Sequence, residues 1–316
     1  MASLRSKIKL SLDESRLLVL GTQILLGFDF NAVLEPGFAR LPRYAQLVRL
    51  AGLTGTLITN LFLLWPATYH QIVFDGNDHP RMQTFTNRVV FIALIPLCFA
   101  FGLDIFTAML RMTDTSVALT AGVLTTLTAV LCWYVIEFIA RFRQTDNPSE
   151  LTMATKDPTP SGETPLMDKI EQLLTESRVI IPGAQALLGF QLTAMFTQAF
   201  ESIPSSSKTV HALSMGMTAL STILLMTPAA YHRIVENGED TERFYRFARK
   251  VILWSMLPLA NSVAGNFYVV LQKVTQNRTF AIAAAATAWL TCLTAWFGFT
   301  YWQRSRMLKN SPGPQK

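Results

Sequence analysis

The apolar residues of this chain fall in blocks long enough to cross a hydrocarbon layer. A core of about 30 Å needs about 20 helical residues. Eight such blocks run over residues 17–34, 50–74, 89–110, 117–140, 179–200, 210–235, 251–271 and 280–302. Backbone polar groups find no partner in lipid, so only helices or closed barrels cross it, and barrel strands of about 10 residues are much shorter than these blocks. The pattern predicts an all-α, polytopic membrane protein with eight transmembrane helices. Composition agrees. Charged residues make up 15% of the chain, against about 25% in soluble domains. That excludes a disordered chain, a disulfide-stapled secreted domain and an ordinary soluble enzyme. Cys98, Cys132 and Cys292 stand singly inside apolar blocks, with neither metal-site nor redox spacing, and read as small buried hydrophobes.

The formal charge of +6 does not form one basic patch. Lysine and arginine cluster beside the ends of the blocks, where they fix orientation. Eight spans put both termini on one side. With that side taken as cytoplasmic, 20 of the 27 lysines and arginines lie in the inner segments. The bias predicts a plasma (inner) membrane protein with both termini in the cytoplasm. The loop 36–49, with Arg40, Arg43 and Arg49, runs against the bias and is expected to face outward. No cleavable signal peptide is expected in the first sixteen residues.

A constant offset of 162 joins the two halves. It carries Glu14-Ser-Arg16 onto Glu176-Ser-Arg178, Leu25-Leu-Gly-Phe28 onto Leu187-Leu-Gly-Phe190, Pro66-Ala-Thr-Tyr-His70 onto Pro228-Ala-Ala-Tyr-His232, and Pro96 onto Pro258. The chain therefore divides into a first four-helix repeat (1–143), a Pro-, Thr- and Ser-rich cytoplasmic linker (144–165) and a second repeat (166–316). An even number of spans per repeat predicts parallel copies, related by a pseudo-two-fold along the membrane normal. The order Glu-x-Arg, a Gln-x-Leu-Leu/Phe-x-Phe run, then Pro-Ala-x-x-His resembles a poorly characterised bacterial family of four-span membrane proteins. Some of its members are labelled sodium:proton antiporters. The resemblance implies a bacterial inner-membrane location and usually a single repeat, where this chain has two.

Ionisable side chains inside a span are costly, so each is a functional candidate. Asp29, Asp104 and Glu137 occupy spans one, three and four, and the two aspartates share a depth in the outer half. A paired carboxylate site for a proton or small cation follows if spans one and three touch. The offset sets Gln191 against Asp29, Asn266 against Asp104 and Phe299 against Glu137, which leaves the second repeat neutral. In the competing assignment Asp29 reaches interfacial water, Asp104 lies beside Arg111, and Glu137 pairs with Arg141 one turn on. His70 and His232 close the Pro-x-x-Tyr-His elements as candidate proton shuttles or interface anchors. Glu14 with Arg16 and Glu176 with Arg178 are candidates for an inner polar gate. Gln23 and Gln185, near the middle of their spans, are candidates for the contact between repeats, with Gln191 and Asn266 as further polar helix contacts. His79 and His211 fall in loop or rim positions, and no metal site is indicated.

No phosphate-cradling loop, nucleophile elbow or paired-cysteine site is present, so neither an enzyme nor a cofactor is expected. Residues 241–250 interleave Arg243, Arg246, Arg249 and Lys250 with Phe244, Tyr245 and Phe247. That pattern suits anionic lipid headgroups rather than nucleic acid. The expected partners are thus the bilayer, a proton or small cation, and a second copy in a homo-oligomer. Two functions follow: a proton- or ion-linked transporter or channel, or a non-transporting membrane scaffold.

Overall fold

The computed structural model describes residues 4–74, 80–139, 165–236 and 241–310. All its regular elements are helical. In the first repeat, α1 (Leu4–Leu34), the short α2 (Pro36–Ala39), α3 (Arg43–Phe74) and α4 (Pro80–Met109) lead to α5 (Thr115–Val130), which continues through a π turn at Leu131–Val135. The second repeat follows the same order with α6 (Leu166–Ala194), α7 (Gln198–Glu201), α8 (Ser205–Ile234) and α9 (Glu242–Thr275). It ends with α10 (Arg278–Leu293), a π turn at Thr294–Gly298, and α11 (Phe299–Asn310).

Prolines sit inside α3 and α8 (Pro66, Pro228) and inside α4 and α9 (Pro96, Pro258) at matching positions. The offset of 162 holds for the first three long helices but rises to 163 in the fourth. There α5 and α10 are both 16 residues long and begin at Thr115 and Arg278. Trp133 therefore answers to Trp296, and the counterpart of Glu137 is Thr300 rather than Phe299. The extra residue arises because α9 runs four residues further than α4 while the turn after it is shorter by three, with Gln276 in a left-handed conformation (φ 53°).

Among the described residues six helices are long and apolar enough to cross a membrane: Arg16–Leu34, Arg43–Pro66, Thr84–Met109, Thr115–Ile139, Ser205–Arg233 and Arg278–Gly298. The two expected spans not among them lie in α6 and α9. In α9 buried Ser255 and Ser262 stand where α4 has Ala93 and Ala100, which lowers its hydropathy. In α6 the buried Gln185 and Gln191 answer to Gln23 and Asp29 of α1, and what differs is that the helix ends at Ala194, which leaves a shorter apolar run after Arg178.

Burial is inverted relative to a water-soluble protein. Leu61, Leu124, Leu127 and Phe138 are exposed, whereas Asp29, Arg49, Asp104 and Glu137 are fully buried. A continuous outer surface of this kind needs an apolar solvent. One apolar core runs through both repeats and joins Leu18, Leu25, Phe101 and Trp133 to Ile181, Leu188 and Ile223. Helix α1 packs on α6, and α4 and α5 reach across to α8. Trp133 seals that crossing by donating its ring N–H to the Ile223 carbonyl at 2.9 Å.

The contact between the repeats does not follow the expected two-fold. A two-fold would pair Gly183 with Gln23 as Gly21 is paired with Gln185. Yet a Cβ added to Gly21 meets the Gln185 side chain at 1.2 Å, while one added to Gly183 meets nothing within 4 Å. The physical reason is that α1 and α6 touch through different faces.

Candidate functional site

The end of the bundle that carries α2, α7 and the turn after α4 is here the distal end. Asp29 lies five residues before the end of α1, and Asp104 five before the end of α4. At 1.5 Å per residue both are about 8 Å inside the distal rim. Arg49, six residues into α3, reaches the same level. Its Nη2 donates to Asp29 Oδ1 at 2.7 Å and its Nη1 to Asp104 Oδ1 at 2.8 Å. All three side chains are shielded from solvent. Asp29 and Asp104 are thus brought together, as expected, but through a guanidinium rather than directly. Burial removes the reading in which Asp29 reaches interfacial water, and Arg111 turns to Glu201 instead of Asp104.

The local sequence explains the fit. Along α3, Arg49, Gly52 and Thr56 share one buried face. A Cβ at position 52 would stand 2.6 Å from Asp104 Oδ1, so only glycine leaves room for that carboxylate. Thr56 neighbours Asp29 and returns its hydroxyl to the Gly52 carbonyl at 3.3 Å. Phe196 of the second repeat covers the cluster, its ring centre 5.7 Å from the guanidinium carbon. Asp104 Oδ2 and Arg49 Nε have no hydrogen-bond partner. With all three groups ionised the set carries a charge of −1, so one added proton makes it neutral.

Arg49 is the site residue that reading the spans alone misses. Counted as a loop charge against the positive-inside bias, it stands instead inside a helix. Two signals point to it. Arg49, Gly52, Thr56 and Asn60 recur at helical spacing on an otherwise apolar segment, and the offset of 162 sets Arg49 against His211.

The second repeat rebuilds the place without charge. Gln191, His211 and Asn266 occupy the equivalent positions, and the Ser262 hydroxyl accepts from the first and last of them. Gln191 Nε2 donates to Ser262 Oγ at 3.0 Å, and Asn266 Nδ2 to the Ser262 carbonyl at 2.9 Å. His211, buried rather than at a rim, gives its Nε2 proton to the Gln191 carbonyl at 3.0 Å and packs edge-on to Phe200. Thr218 hydrogen-bonds Ser262. Gln191 therefore makes a polar contact between helices, whereas Asn266 bonds Ser262 within its own helix.

A second charged group joins the repeats at the distal rim. Glu201 accepts from Arg40 and from Arg111, the latter at 2.7 Å. These two guanidinium contacts hold its carboxyl below the usual range. The backbone N–H of Gly37 donates to the Phe196 carbonyl at 2.8 Å beside it.

At the opposite, proximal end Glu137 is buried, and neither of its carboxylate oxygens has a hydrogen-bond partner. His232 is buried against Phe244, ring centres 4.5 Å apart, and Arg233 donates to Asn87 Oδ1 at 3.4 Å across the repeats. Glu176 is exposed, as is Arg16. The side chains of Glu14, His70 and Arg178, and the residues 140–164 that include Arg141, lie outside the described residues, as does His79. Gln185 makes the contact between repeats that was expected of it, but Gln23 is exposed. Among the described residues no group of three or more His, Cys, Asp or Glu side chains is placed to hold a metal ion.

Apolar helices outside, polar clusters inside and one architecture written twice define an all-helical membrane protein with an internal repeat. The chain belongs to a family of unknown function, DUF6328, which matches it over residues 5–137 and again over 165–300. No curated protein and no solved structure matches it.

Proposed function

We propose that the chain is a proton-linked transporter of the plasma (inner) membrane, with eight parallel-repeat spans, both termini cytoplasmic and its proton site in the first repeat. The observation that carries this reading is the buried Asp29–Arg49–Asp104 cluster. Isolating an unbalanced charge from water is costly, and this set balances by taking up one proton. Releasing it to the distal side and accepting another through the polar face of α3, by way of Thr56 and the buried Asn60, would link proton movement to a rearrangement of α1 against α4. Buried Glu137 and His232 at the proximal end are the matching inner groups. The basic start of α9 favours a headgroup position there, since Phe244 and Ala248 face inward while Arg246, Arg249 and Lys250 are exposed.

The test is proton flux in liposomes holding the purified protein and a trapped pH dye. A cation- or pH-driven signal is expected, and Asp29→Asn or Asp104→Asn should remove it. Flux that survives both changes together would overturn the reading. A scaffold without transport is the second reading. It is favoured by the Gln191–His211–Ser262 set, which joins the corresponding helices without a titratable carboxylate, and it predicts no flux from the unaltered protein.

A further inference from the structure

The two repeats meet head-to-tail, and the unused head and tail face outward. On α1 the face bearing Leu17, Gly21 and Leu25 is buried against α6, while the face bearing Leu20, Gln23, Gly27 and Phe30 is exposed. On α6 the pattern is reversed. The counterparts of the exposed stripe, Pro182, Gln185, Gly189 and Leu192, are buried, and those of the buried stripe, Val179 and Gly183, are exposed. One face of repeat one therefore grips the other face of repeat two. Gly21 holds Gln185, and Phe28 lies over Gly189 so closely that a Cβ there would meet its ring at 2.5 Å. The mirror pairs are open, because a Cβ at Gly27 or Gly183 would meet nothing within 4 Å.

The fourth helices repeat the story independently. Trp133 is fully buried and donates to Ile223 in the other repeat. Its counterpart Trp296 is half-buried, and Leu61, the counterpart of Ile223, is 62% exposed. A heterologous contact of this type closes only when further copies fill the free ends.

We infer that a second copy of this chain fills them, its Gly183 face seated on the Gln23 face of the first, and reciprocally. Gln23 is the strongest pointer. It is an amide near the middle of a span, directed outward where lipid offers it no hydrogen bond, whereas its counterpart Gln185 is fully buried in the matching contact. Because the repeats run the same way through the membrane in the reading above, two chains bring four repeats around one axis along the normal. The inference rests on that parallel insertion but not on proton movement.

The experiment is oxidative cross-linking in native membranes, with Cys292→Ala introduced and the buried Cys98 and Cys132 retained. Chains carrying Gln23→Cys only, mixed with chains carrying Gly183→Cys only, should give a disulfide-linked pair of chains. Neither chain should do so alone. Gly21→Cys with Gln185→Cys in one chain should cross-link within the chain and leave the mass at 35.3 kDa. Gly183→Trp should shift the purified protein from two chains to one, with its helical content unchanged. Two results would overturn the inference. One is a monomer with no mixed-chain product while the intrachain control reacts, which means lipid covers both faces. The other is Gln23→Cys chains linking to each other, which means a symmetric α1 contact. Flux measured on the same preparations separates this outcome from that of the proton reading.

Discussion

The two repeats solve one packing problem with different chemistry. In the first, Arg49 ties α1 to α4 through two carboxylates. In the second, the corresponding helices are tied by Gln191, His211, Thr218 and the Ser262 hydroxyl. The fold thus needs polar groups at this level but not ionised ones. Where a neutral network holds the helices, the charged version is an added property, and it is the natural place to look for function.

The largest effect expected from breaking the comparison is that of Arg49→Met. It strands two buried carboxylates, and the unfolding free energy in mixed micelles should fall by about 3–5 kcal/mol. Writing the second repeat into the first, as Asp29→Gln with Arg49→His, Ala100→Ser and Asp104→Asn, should restore most of that stability while leaving no proton flux. A fourfold variant as unstable as Arg49→Met would mean the two places are not equivalent. Gly52→Ser comes next, at about 1–3 kcal/mol, because the new Cβ enters the space of Asp104 Oδ1. The second repeat already carries Ser214 at that position. His211→Ala should cost less, about 1 kcal/mol, for its one bond to the Gln191 carbonyl, and should spare flux.

The smallest effect is at Glu201, which the Arg40 and Arg111 contacts hold below the usual carboxylate range. A depressed value means its contribution is present above the ordinary glutamate value of about 4.3. The contribution is lost as pH falls through the lower folded value. Tm followed from neutral pH downward should show this loss in the unaltered protein and not in Glu201→Gln, so that a small difference between the two at neutral pH disappears in acid.

What could be read from residues alone follows from how far each signal reaches. Long apolar blocks and a constant offset are local or periodic, so the helical class and the duplication were legible. The shared depth of Asp29 and Asp104 was legible too, since it needs only the rise of a helix. Their partner was not. Arg49 is 20 residues from Asp29 and 55 from Asp104, and a count of flanking charges treats any arginine near a block as loop. Buried serines lowered the hydropathy of α9, and the end at Ala194 shortened the apolar run of α6, so apolarity alone undercounts the long helices. The two-fold failed because identical sequences can meet through unlike faces, a choice made by packing.

The π turn at Leu131–Val135 has a consequence for aim. A wide turn accommodates one extra residue, and each residue swings whatever follows by about 100° around the helix axis. Glu137, just beyond it, points inward with no exposed surface, while Ile136 and Phe138 on either side face out. Removing a single residue from this turn would send the acid toward the acyl chains and draw an oily neighbour in, so the widened turn works as the compass needle of the fourth helix.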